Sequence, residues 1–567
     1  MSGNQVDHGG AGYEAEGYVN IPLTSNAAIR LVGWDEHDAG YIDNVYGTRP
    51  FATSGETVNN AAEVKNNFNH ADTYGGRAAL KIDLDQNWTI TPSIIAQDQR
   101  NTGVFGYEPS VGDLQVNRFQ PDTDHDRWAQ AALTINGKLG KYDLVYSGSY
   151  FQRRVDQRSD YTDYSVFYDQ AYGSGANWQD SNGNILPKPE QEIIGIDRFT
   201  KESNELRIVA PATDQFRFIA GLFQERQTHW IIQDYEIQGF GSQLSAPGYP
   251  NTIWLTNQMR IDRDQAAFGE ITYDLTDHLS LTAGVRLYKY ENSLSGFYGF
   301  SEGYDELTGF SSGEGADDGN CLGFDGYHNT PCTNLNKTVK GQGETHRFNL
   351  NYKFDSQRLV YFTYSTGYRP GGVNRNGSLP PYAADHLTNY EIGWKSSWFN
   401  RRLTFNGALY DEDWSKFQFS YLGANSLTII QNAPSANIKG VESNVDWLAT
   451  RNLDITAGFA YTDAKISQNF CGTDQKTGLL IASCTATEAV ANQGAAKGTP
   501  LPYTPSVKTN LTARYAFRIA DWDAHVQGGV GARTETMSPC APATLRPWVP
   551  YPATPRPTSP PAWSIMA

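Results

Sequence analysis

Short polar breaks recur along this chain, and the segments between them alternate apolar with polar residues. The breaks fall at Thr24-Ser25-Asn26, Asp85-Gln86-Asn87, Gly137 to Lys141, Ala212 to Gln215, Thr276-Asp277-His278, Asp355-Ser356-Gln357, Asn400-Arg401, Thr450-Arg451-Asn452 and Ala520-Asp521. From one break to the next the chain runs out for tens of residues, through long aromatic and Gly-rich loops, and returns. Leu279, Leu281, Ala283, Val285 and Leu287 alternate with Ser280, Thr282, Gly284, Arg286 and Tyr288. Ala129, Ala131, Leu133 and Ile135, then Leu453, Ile455, Ala457, Phe459 and Tyr461, then Val507, Leu511, Ala513, Tyr515 and Phe517 repeat the pattern. A period of two puts one face of each segment against an apolar medium and the other against a polar one.

An antiparallel up-and-down meander with one trimmed edge and one elaborate edge meets this pattern. A transmembrane β-barrel, with short turns on one side and long loops on the other, is the architecture that needs it. Two strands per short turn give roughly 18 strands, each able to supply the ~9–11 residues of a tilted membrane strand. They begin with Tyr13 to Leu23 and Ala27 to Ile42 and end with Trp522 to Arg533. Aromatic residues cluster beside the turns (Trp88, Tyr142, Phe216, Tyr352, Phe354, Trp398, Phe399, Trp447, Trp522), as in an interfacial girdle. Mean hydropathy is -0.53, and no run of about 18 apolar residues exists, which excludes a helical span. Alternation hides a barrel's hydrophobicity from such averages.

The net charge of -17 argues against a nucleic-acid partner, because that binding rests on phosphate neutralisation. Two cysteine pairs, Cys321 with Cys332 and Cys471 with Cys484, sit inside long loops and read as local disulfides of an oxidising compartment. Neither spacing suits a metal. Cys540 is left over. Gly309-Phe310-Ser311-Ser312-Gly313 matches a nucleophile elbow but lies in a Gly- and acid-rich loop, with no strand before it or helix after it. Asp122 to Asp126 begins like a calcium loop, yet Arg127 and Leu133 stand where Gly and Glu are required. No catalytic or metal site is expected, and no resident cofactor.

The run Val360-Tyr361-Phe362-Thr363-Tyr364-Ser365-Thr366-Gly367-Tyr368-Arg369-Pro370-Gly371-Gly372-Val373-Asn374 is followed by Asn389-Tyr390-Glu391-Ile392-Gly393-Trp394-Lys395 and Arg402-Leu403 to Tyr410. Then come Trp414, Asn432-Ala433, Asn437, Gly440-Val441-Glu442, Leu501-Pro502 and Pro505. These ordered motifs resemble the barrel of TonB-dependent outer-membrane receptors, the iron-complex and siderophore receptor family. The resemblance implies a 22-stranded barrel in the outer membrane of a Gram-negative bacterium, surrounded by its lipid. It also implies an N-terminal plug that engages the TonB-ExbB-ExbD energy-transducing complex. Residues 1–533 are assigned to the barrel, with the plug and first strand expected to be missing. Residues 534–567, dense in proline, are expected to be a disordered or frameshifted tail. Such a fragment is expected not to transport alone.

The family's ligand would be an iron chelate. Long loops rich in rings (Tyr161, Tyr164, Phe167, Tyr168, Tyr172, Trp178; Tyr235, Phe240, Tyr249, Trp254; Phe297, Tyr298, Phe300, Tyr304, Phe310) offer flat amphipathic surface. Arg153, Arg154, Arg158, Arg369 and Arg375 could pair with an anionic chelate. Tyr368, Arg369, Asn374, Arg375, Tyr164, Trp178 and Trp254 are the ligand-binding candidates. A passive porin or carbohydrate channel is the competing reading.

Overall fold

The computed structural model describes residues 1–534 apart from 53, 172–177, 302–303, 305–329, 378, 423–427, 473–480, 482 and 492–493. Of the expected tail, 534–567, all but Thr534 lies outside the described residues, as do Tyr172, Cys321 and the Gly309 to Gly313 motif with Phe310.

Each of the nine breaks joins two antiparallel strands. In chain order the hairpins are β2 (Ala11–Thr24) with β3 (Ala27–Asp38), β7 (Ala71–Asp83) with β8 (Trp88–Thr102), and β10 (Thr123–Leu139) with β11 (Tyr142–Asp160). Then follow β12 (Gln191–Val209) with β13 (Phe216–Ile237), β14 (Thr252–Asp274) with β15 (Leu279–Phe300), and β16 (Leu335–Lys353) with β17 (Arg358–Arg369). The last three are β18 (Asp385–Trp398) with β19 (Leu403–Ser415), β22 (Ser435–Leu448) with β23 (Leu453–Ile466), and β24 (Val507–Ile519) with β25 (Trp522–Arg533). A four-residue β1 (Ser2–Gln5) pairs with the start of β2, making a 19-stranded sheet whose neighbours follow chain order. Short pairs decorate the long-loop side: β4 (Asp43–Asn44) with β9 (Gln115–Val116), β5 (Thr48–Pro50) with β6 (Thr57–Asn59), and β20 (Gln418–Leu422) with β21 (Thr428–Asn432).

The outer face is read from exposure. Val285 and Leu287 on β15, Leu222 on β13 and Ile392 on β18 are large apolar residues left open, Leu222 by 62%. Their strand neighbours of opposite parity point inward and include Arg286, Tyr288 and Glu391, with glycine or Phe223 at the remaining positions. A solvent-exposed apolar belt of this kind is stable only against lipid. Phe216, Tyr352, Phe354, Trp398, Phe399, Trp447 and Trp522 are exposed beside the short turns.

Glycine inside strands has a specific use here. Trp88 lies across Gly137, Tyr290 across Gly341 and Tyr361 across Gly393, each from the neighbouring strand, so a Cβ at these glycines would collide with the ring. The chain's buried apolar clusters lie away from the belt, among the long loops and strand extensions.

Candidate functional site

Strands β13, β14 and β15 run to 22, 23 and 22 residues, about twice what a tilted membrane strand requires. Segments that read as loops in the sequence are therefore strand extensions, held by aromatic cross-strand neighbours. Tyr235, Trp254 and Phe300 stand in one register row, and Gln233, Thr256 and Tyr298 in the row below. Trp254 packs edge-on against Tyr298 and Phe300 at 4.7 and 4.5 Å between ring centroids. Rings in this geometry gain attraction beyond simple burial.

The loop after β11 contributes a helix that periodicity did not reveal, α1 (Thr162–Ala171). Asp160 starts it. One of its carboxylate oxygens accepts the Thr162 N–H (3.1 Å) and hydroxyl (2.7 Å), and the other accepts the Phe119 N–H (2.8 Å). Tyr164 then packs tilted against Tyr161 at 4.7 Å and edge-on against Tyr168 at 4.8 Å, with Tyr161 edge-on to Tyr235 at 5.5 Å.

The third wall comes from the motif after β17. That strand pairs with β16 only up to Ser365 opposite Arg347, then turns inward. Tyr368 stacks on Tyr288 with centroids 3.4 Å apart and donates to Asp264 at 2.8 Å. Gly371 and Gly372 close a tight crossing: Gly372 and Tyr382 exchange backbone bonds at 3.0 and 2.9 Å. A Cβ on Gly371 would meet the Tyr382 carbonyl, so the crossing needs glycine there. Asn374 locks the arm beyond it. Its amide N–H donates to the carbonyls of Pro380 (2.9 Å) and Ile430 (3.0 Å), and its oxygen accepts the Ile430 N–H (2.9 Å). Arg375 is thereby carried over to β13, where it donates to Gln233 at 3.0 Å, while its carbonyl accepts from Gln258 at 2.9 Å.

The three walls enclose a cavity of about 430 Å³, lined among others by Tyr161, Tyr164, Tyr168, Tyr235, Trp254, Tyr298, Asn374, Arg260 and Arg375. Among the described residues neither Arg260 nor Arg375 has a salt-bridge partner, and the Arg260 Nε is buried without a hydrogen bond. Burial and the facing Arg260 guanidinium hold Arg375 below the usual arginine range. Burial pushes the Tyr161 and Tyr235 hydroxyls well up, so they stay protonated and can donate. The arrangement can take an anion bearing flat rings.

Four of the seven candidate residues therefore meet at this cavity: Tyr164, Trp254, Asn374 and Arg375. Three do not. Trp178 is buried in the neighbouring apolar cluster with Phe240 and Tyr304. Arg369 is tied to Asp385 at 2.6 Å and lies over Trp414, and Tyr368 belongs to the inner strand wall. Of the other arginines, Arg153 grips Asp126, Arg154 grips Asp156 and Arg158 grips Glu192. Arg260 was the residue missed. Its signal was parity, since counting by twos from Trp254 through Thr256 and Gln258 puts it on the same face. Cys471 and Cys484 are disulfide-bonded, and Cys332 is also in a disulfide.

A family model described as "TonB dependent receptor-like, beta-barrel" matches residues 87–539. The pesticin receptor of Yersinia pestis is 21% identical over 393 residues, covering 66% of this chain and 51% of that protein. The chain thus spans about half the length of the curated relatives it matches. Among solved structures, the ferric yersiniabactin uptake receptor of Yersinia pestis superposes with a TM-score of 0.66 at 12% identity, covering 93% of this chain and 67% of that one. The siderophore receptor of Acinetobacter baumannii gives 0.58 at 13%, covering 93% and 70%. At these identities the structural likeness speaks for the fold.

Proposed function

Because the chain belongs to the TonB-dependent receptor-like β-barrel family of non-enzymatic outer-membrane transporters of Gram-negative bacteria, we propose that it captures a ferric siderophore at the outer surface for energised uptake. The observation that carries this reading is the pair Arg260 and Arg375, two guanidiniums without carboxylate partners among the described residues, facing a cavity walled by tyrosines. An anionic chelate with phenolate or catecholate arms would supply the missing negative charge and stack on the rings. The names of structural neighbours, a ferric yersiniabactin uptake receptor and a siderophore receptor, accord with this class of cargo. Uptake would draw energy from the TonB-ExbB-ExbD complex through a plug domain. The carbohydrate-channel reading draws support from the same rings and from Gln191, whose buried side-chain oxygen lacks a partner.

The two readings separate in a titration of the full chain in detergent, followed by tryptophan fluorescence. A negatively charged ferric catecholate is expected to bind, and Arg260→Gln or Arg375→Gln to weaken it by about tenfold or more, as for a hydrogen bond to a charged group. Binding of a neutral oligosaccharide with no response to the ferric chelate would replace the siderophore reading with the carbohydrate one.

A further inference from the structure

The outer face changes character abruptly above its apolar belt. On β13 the outward row runs Leu222, Gln224, Arg226; on β14, descending, Arg263, Gln265, Ala267; on β15, Leu287, Lys289, Glu291; and Lys340 faces Glu291 from β16. Each of these cations stands roughly 10–13 residues from the short-turn end of its strand, about the length a tilted strand needs to cross the apolar layer. They therefore meet the outer leaflet at headgroup height, outside the barrel and on the face opposite the cavity residues.

Arg263, Lys289 and Lys340 surround an outward cavity of about 530 Å³ whose polar lining is completed by Gln265, Gln342 and Glu291. Glu291 alone answers the three cations, accepting from Arg263 (2.6 Å) and Lys340 (2.9 Å). Lys289 makes no salt bridge among the described residues, and Arg226 stands beside Arg263 in register. Glu344, one row lower, is turned to His346 at 3.4 Å. Directly below on β13, β14 and β15 lies a shallow apolar surface formed by Phe218, Ile271, Ala283 and Val285. Cations and amide donors stacked over an apolar surface, at the boundary of a bilayer, match a lipid with an anionic head and acyl tails.

We propose that this patch binds the phosphorylated headgroup of an outer-leaflet lipid, with the acyl chains lying down the face of β13 to β15. The site holds the phosphate between Arg263, Lys289 and Lys340, and Glu291, which occupies two of these cations while the site is empty, competes with it.

The test uses the full chain in nonionic detergent, loaded with phosphorylated lipid A or with its dephosphorylated form and read as bound lipid by mass spectrometry after exchange. The phosphorylated form is expected to be retained selectively. Lys289→Gln should weaken retention about fivefold and the triple variant R263Q/K289Q/K340Q about a hundredfold, each cation near an anionic headgroup supplying a factor of about five. Glu291→Gln should strengthen retention, and Arg347→Gln, on the inner face against Glu270, should leave it unchanged. Heat-modifiable gel mobility reports that each variant is folded; if the triple variant is not, Lys289→Gln and Glu291→Gln decide. Equal retention of the dephosphorylated lipid, unchanged retention in Lys289→Gln, or full displacement by equimolar inorganic phosphate would each overturn the proposal.

Discussion

Arg375 sits where a cation is least comfortable, desolvated and facing a second cation, because Asn374 beside it holds the backbone in place. Three hydrogen bonds from one side chain anchor the arm to Pro380 and Ile430, and losing them exposes buried backbone groups at about 1 kcal/mol or more apiece. Asn374→Ala is expected to reduce affinity for the ferric catecholate at least about tenfold. It should also open residues 370–384 to protease, with gel mobility of the folded barrel unchanged. Unaltered affinity would mean that the arm is held by other contacts. At this scale the sequence was half legible. The motif around Tyr368 to Asn374 and the aromatic runs led to Tyr164, Trp254, Asn374 and Arg375. Arg260 and Gln233 did not stand out, because what makes them site residues is a neighbour more than a hundred positions away. The same stretches also offered Trp178, whose ring lies in apolar packing, and Arg369, which is paired with Asp385.

Elements show a similar division. All nine short turns fall where polar breaks occur in the sequence, since connections of two to six residues leave little room for ambiguity. The long connections were opaque: tall strand extensions and α1 both look like aromatic loop, for alternation is lost when both faces of a segment are covered. One covered element is expected to respond to pH. The loop between β13 and β14 packs Ala246 and Tyr249 beside Leu255, over Asp234, which accepts from Thr252 at 2.6 Å. Burial raises Asp234 to about 6. It raises Glu236 to about 7, with help from the Asp234 and Glu192 carboxylates and opposed by Arg158. Both groups bind protons more tightly when the loop is docked than when it is open. Docking is therefore favoured at low pH and weakens as pH rises through about 6 to 7. Protection of the amides across 239–251, taken relative to the intrinsic exchange rate at each pH, is expected to be greater at pH 5.5 than at pH 8, and Asp234→Asn should shrink the difference. Equal protection at both values would refute the assignment.

For the whole molecule, the alternating pattern was enough to give the sheet and its outward face, because lipid on one side and water on the other leave a period-two sequence little choice. Placing an arginine at Leu222, in the middle of the belt, is expected to destabilise the inserted protein by about 2–4 kcal/mol in urea unfolding from vesicles. A shift below 1 kcal/mol would move that face away from lipid. The rings that lie across glycines carry a consequence for how such a sheet is assembled. Hairpins that meet in a membrane have no hydrophobic core to tell a correct pairing from one displaced along the strand. Tyr361 lies over Gly393, Trp88 over Gly137 and Tyr290 over Gly341, so each works as a tooth seated in a notch. Filling a notch with Gly393→Ala is expected to slow refolding into vesicles and raise the yield of misaligned, protease-sensitive product, more than it lowers final stability. These three glycines would then be proofreading marks, read chiefly during insertion.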